Sequence, residues 1–142
     1  MIDLEECFAK GMLRKTAPSM EQAILIFNKA GHALDDARAN LEEERYDATI
    51  LLAYQSLLSA SKAILFMDGI REKSHVCIAR YLEAKHNDKF DLQTIGLLDS
   101  FREARHEIQY SAAFTASENQ AKEIVEFAEK FLGKVGAIIN KK

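Results

Sequence analysis

One stretch constrains the fold of this chain more than any other. From about Tyr46 to Met67 apolar residues stand on nearly every side of a helical wheel, among them Ile50, Leu51, Leu52, Leu57, Leu58, Ala60, Ile64, Leu65 and Phe66. A helix that is apolar all round has no face to give to water, so it has to be enclosed by other helices or by a second subunit. Asp68-Gly69 closes the run, because glycine can take the left-handed conformation that a helix C-terminus requires.

The helices to enclose it are legible on both sides. After Pro18, Ser19 and Gln22 stand at capping-box spacing, and Met20, Ala23, Phe27, Ala30, Leu34, Ala37 and Leu41 recur at steps of three and four. The opposite face of that long helix carries Asp35, Asp36, Arg38, Glu42 and Glu43, a solvated charge pattern. Ser117 with Gln120 opens a final helix whose stripe, Ala121, Ile124, Ala128, Phe131, Val135 and Ile138, suits antiparallel packing or pairing across a dimer.

Shorter elements fill the rest. Asp3 and Glu6 form a capping box for a helix with Leu4, Phe8 and Met12 on one stripe, running to Thr16-Ala17 before Pro18. Ser74 caps a helix with Ile78, Tyr81 and Leu82, and Asp91 with Thr94 opens one that sets Leu97, Leu98, Phe101, Ala104 and Ile108 inward. The expected architecture is all-α: a five- to six-helix up-and-down bundle in one domain over residues 1–142, with a short N-terminal helix over 1–17 and a core bundle over 19–142. At 142 residues and 48% hydrophobic the chain can bury such a core without staples, and sheet is disfavoured.

Charge and cysteine usage narrow the function. A net charge of −3 supplies no global field for nucleic acid or an anionic membrane, so any such contact has to come from a local basic patch. Cys7 and Cys77 are far apart and form no CxxC or Cys/His ligand spacing, so they read as buried thiols, with neither a disulfide framework nor a zinc site expected. The opening Met1-Ile2-Asp3-Leu4-Glu5-Glu6 is acidic, and no uninterrupted apolar run long enough to span a bilayer is seen, so a cytoplasmic protein without membrane contact is expected.

Chemistry concentrates on the fifth helix. Arg102, Arg105, His106 and Gln109 are spaced i, i+3, i+4, i+7 and share one side, with Tyr110 a turn beyond His106. Two guanidiniums and an imidazole beside a phenol can hold a phosphate and move a proton; the competing reading is a salt-bridged surface, since Glu103 and Glu107 stand among them. His75, after Ser74 at a helix start, is either an anion contact or simply the neighbour of a cap, and Lys62 on the apolar third helix has to reach solvent or find a partner. His32 and His86 read as exposed. No pair among the four histidines has metal-ligand spacing on a shared face, and neither a cofactor nor a metal is expected.

Three stretches taken together resemble the HEPN family. Leu34-Asp35-Asp36-Ala37-Arg38 to Arg45-Tyr46-Asp47-Ala48, followed by Ala53-Tyr54-Gln55-Ser56-Leu57-Leu58-Ser59-Ala60-Ser61-Lys62-Ala63-Ile64-Leu65, is similar to its helix, Tyr-containing turn and small-residue-rich central helix. Gly69-Ile70-Arg71-Glu72-Lys73-Ser74-His75 looks like the Gly, basic, Ser/Thr-His junction of many prokaryotic members. Phe101 through Tyr110 resembles the branch whose motif helix ends in Arg, four residues, then Tyr.

The resemblance implies a bundle that commonly dimerises with its motif helices facing a shared cleft, often co-encoded with a minimal nucleotidyltransferase as its toxin or partner. Active members cut RNA without metal through an Arg-x4-6-His motif, the His moving a proton of a ribose hydroxyl while Arg offsets charge at phosphorus. Here Tyr110 stands where His is expected after Arg105, and from Arg102 the histidine His106 comes after only three residues. A phenol with an unperturbed pKa near ~10 is a poor base at neutral pH. The expectation is therefore a nucleotidyltransferase partner or toxin-like component that binds nucleotide or RNA through Arg102, Arg105, His75 and Lys62. Arg105, His106 and Tyr110 are the candidate catalytic groups if it is a metal-independent RNase, and Tyr110 is the candidate for modification with AMP. A helical interaction module with no chemistry is the third alternative.

Overall fold

The computed structural model describes residues 1–140 and contains six helices: α1 (Leu4–Ala9), α2 (Met20–Glu42), α3 (Tyr46–Asp68), α4 (His75–Lys85), α5 (Leu92–Tyr110) and α6 (Glu118–Asn140). The all-α bundle expected from the sequence is what forms. α3 is enclosed, packing most extensively on α2, then on α6, with α5 and α4 completing its surroundings. Length and mean hydropathy of 1.5 would let α3 cross a membrane, but 67% of that apolar window is buried inside the bundle, which accounts for its composition.

Local chemistry sets the helix ends. Asp3 and Glu6 close a reciprocal capping box, Ser19, Ser74 and Asp91 each accept the backbone N–H three residues on, and Ser117 and Gln120 cap each other. Gly69 ends α3 at φ 77°, and a side chain there would meet the Thr16 carbonyl and the Pro18 ring. The stripe of α6 is buried along its whole length.

Four expectations need correction. The first helix stops at Ala9 rather than running to 17, because the chain turns at Gly11, which sits at φ 71°. Leu13–Lys15 then forms β1, antiparallel to β2 (Ile70–Glu72), pairing Leu13 with Glu72 and Lys15 with Ile70, so a small ribbon exists where sheet was disfavoured. Cys7 and Cys77 are buried, as expected, but as a disulfide joining α1 to α4 across 70 residues, and not as thiols. His86 is not an exposed histidine: its Nε2 lies 2.6 Å from Asp68 Oδ2, to which the Tyr81 hydroxyl also donates, tying the end of α4 to the end of α3. In addition, Leu97 on α5 is 40% exposed, so the inner face of that helix is the side of Ile95 and Leu98.

Candidate functional site

The start of α4 and the C-terminal half of α5 border a cleft of about 560 Å³, lined by His75, Arg102, Arg105 and His106 together with Glu103, Glu107, Phe114 and Gln120. The two arginines reach it in different states. Arg102 is held by Asp99 at 2.6 Å and lies 3.8 Å from Glu103. Arg105 has no carboxylate partner among the described residues; its guanidinium carbon lies 5.7 Å from the centre of the Tyr54 ring, a cation–π contact.

Tyr54 comes from α3 and is 4% exposed. Its hydroxyl is 3.4 Å from His75 Nδ1, and burial pushes the phenol up to about 12 against the opposing pull of Arg102 and Arg105. The phenol is therefore protonated at neutral pH; it donates to Nδ1 when neutral His75 carries its proton on Nε2, and accepts from Nδ1 in the other tautomer. Burial lowers the proton affinity of His75, and the Arg105 and Lys62 charges lower it further, with Glu72 opposing them and Arg102 adding to them.

Beneath Arg102 lies a polar link that the spacing argument did not anticipate. Asp99 bridges Arg102 and Arg80 with 2.6 Å contacts to both, and Arg80 is 5% exposed. A guanidinium buried to that degree has to be paired, and the carboxylate shared between two of them fixes where Arg102 stands. Lys62 finds its partner in Glu72 at 3.7 Å and faces His75 electrostatically without lining the cleft.

The α5 stripe divides at its end. Arg102 and Arg105 are half-buried, whereas His106 and Gln109 are exposed and Tyr110 is 66% exposed. The Tyr110 ring packs on that of His106 with centroids 4.6 Å apart, and neither Gln109 nor Tyr110 lines the cleft. Sequence reasoning missed Tyr54, Asp99 and Arg80. A signal for each was present: a phenol in an apolar helix, a carboxylate one turn before Arg102, and a guanidinium among Ile78, Tyr81 and Leu82.

No curated protein matches this chain in sequence. The HEPN domain model matches residues 23–138, from the first turn of α2 almost to the end of α6, and the chain belongs to the HEPN domain family.

Proposed function

We propose that this protein is a homodimeric HEPN partner, or toxin-like component, of a small co-encoded nucleotidyltransferase and binds a nucleotide or RNA through phosphate in the cleft of His75, Arg102, Arg105 and His106. Family membership supports a nucleotide- or RNA-related role. The observation that carries the reading is the state of Arg105: half-buried, lining a cleft, and without a carboxylate among the described residues. A guanidinium fork in that position is suited to the oxygens of a phosphate. Measured binding of nucleotides and short RNAs by wild type and Arg105→Ala tests it: wild type binds and the variant loses at least tenfold, whereas equal binding by both, or none by either, removes the cleft assignment.

A second reading makes the same cleft a metal-independent endoribonuclease site. It is favoured by His106, which lines the cleft beside both arginines and can exchange a proton near neutral pH. Toxicity on expression that persists in His106→Ala and Arg105→Ala would eliminate it. Exposure of Tyr110 makes its phenol accessible to adenylylation by the partner enzyme, an addition that intact-mass measurement of the co-expressed pair would detect.

A further inference from the structure

We infer that His75 makes anion binding in the cleft proton-coupled: its imidazole, held by the Tyr54 hydroxyl, is neutral in the empty cleft and takes up a proton when an oxyanion enters beside Arg105. The inference rests on the cleft reading above and adds a residue from α4 to a site otherwise built on α5.

The geometry requires two things of His75. Tyr54 occupies Nδ1, and no hydrogen bond engages Nε2 among the described residues, so Nε2 is the nitrogen left to meet an incoming oxygen, as a donor whenever it carries the proton. The surroundings decide the charge. From α3, Tyr54 and Lys62 face the ring, the lysine partly offset by Glu72 of β2; from α5 come Arg105 and Arg102, the latter partly offset by Asp99, which it shares with Arg80, with Glu103, Glu107 and His106 elsewhere in the cleft. His75 is also the first residue of α4, where the helix dipole disfavours a cation and favours an anion.

An anion on Arg105 reverses the balance. It offsets the Arg105 charge, which after burial does most to disfavour the imidazolium, and adds a negative charge beside the ring, so that a protonated ring can offer the anion a charge-assisted hydrogen bond. The Tyr54 hydroxyl can rotate from donating to Nδ1 to accepting from it, so the phenol serves both protonation states. Tyr54 is in this sense a positioning residue, acting on the anion only through the ring it orients. Linkage then gives the sign: if the bound state holds a proton that the free state lacks, affinity rises as pH falls.

Sodium sulfate is the probe, because it is a dianion that does not itself titrate near neutral pH. The His75 side-chain resonance is followed against pH by NMR with and without saturating sulfate, and sulfate affinity is measured from pH 7.5 to 5.5. The expected result is an upward move of the His75 midpoint by a unit or more and an affinity that rises several-fold across the range. His75→Gln gives weaker, pH-independent binding, and His106→Gln retains the pH dependence. Tyr54→Phe shifts the tautomer balance of the neutral ring, read in its nitrogen shifts. Sulfate that binds without moving the His75 midpoint, or a pH dependence that survives in His75→Gln, overturns this inference and leaves the cleft reading standing. Failure of sulfate to bind wild type at all overturns both.

Discussion

α3 and α5 touch each other and are held by opposite means. α3 buries side chains on every side, from Thr49 to Leu65, and even its hydroxyls are satisfied internally, Ser56 donating to the Ala30 carbonyl at 2.7 Å and Ser61 to that of Leu57 at 2.8 Å. α5 buries only Ile95 and Leu98, and is fixed by the Asp91 cap and by Asp99 between two arginines. Apolar burial spread over many residues has no direction, whereas a half-buried carboxylate bridging two guanidiniums sets position and orientation at one point. That contrast explains why the candidate site sits on α5: a helix that gives little of its surface to the core keeps its polar groups for a cleft.

The largest effect is expected at Asp99. Asp99→Ala leaves Arg80 buried with its charge uncompensated, at a cost of about 3–5 kcal/mol. Urea denaturation would measure it. Replacing Arg80 and Asp99 together by Met and Leu should recover most of that loss while releasing Arg102 and weakening anion binding. If Asp99→Ala is nearly neutral, α5 is not held at that point.

On α3 the counterpart is Leu57→Ala, whose side chain is fully buried; the expected loss is about 2–5 kcal/mol from lost transfer energy and residual cavity. Its effect on anion binding should be smaller, because Leu57 does not line the cleft. Next in size is the covalent link of α1 to α4. Because the Cys7–Cys77 bridge closes a 70-residue separation, the pair Cys7→Ser, Cys77→Ser should lose about 2–4 kcal/mol in denaturant. A fall of the same size on adding a thiol reductant to the wild type would assign the loss to the bridge.

Legibility in the sequence follows the same division. What depends on neighbours within one helix was readable: the caps at Asp3, Ser19, Ser74, Asp91 and Ser117, the turn at Gly69, and the burial of α3 and α6. What depends on elements distant in sequence was not. β1 meets β2 only because α2 and α3 fold back between them, the disulfide needs α1 laid on α4, and Tyr54 meets His75 and Arg105 of the cleft only once α4 and α5 both pack on α3. Spacing on α5 identified Arg102, Arg105 and His106 as neighbours, but could not say that Tyr110 would turn outward, since that depends on where the packing of α5 ends.

Tyr54 ties the stability of α3 to alkaline pH. A phenol with a raised folded-state pKa binds its proton more tightly folded than unfolded, so its stabilising share is present below pH 10 and is lost between 10 and about 12. Tyr81, raised by burial and by its bond to Asp68, acts in the same direction. Tyr54→Phe should therefore remove roughly 2 kcal/mol of the alkaline decline between those limits, measured as thermal midpoints against pH.

The smallest effect tests whether α5 is as sparsely packed as it looks. Leu97 is 40% exposed and lines a hollow of about 510 Å³ between α5 and α6, with Phe101 and Phe127 behind it. Within a single chain its truncation removes little buried area, so Leu97→Ala should shift stability by no more than about 0.5 kcal/mol. The measurement is informative when repeated across protein concentration. A loss that stays small at every concentration leaves α5 a lightly packed rim, and a loss above about 1 kcal/mol that appears only in concentrated samples would mean that a second copy covers this face and stabilises the folded state by mass action.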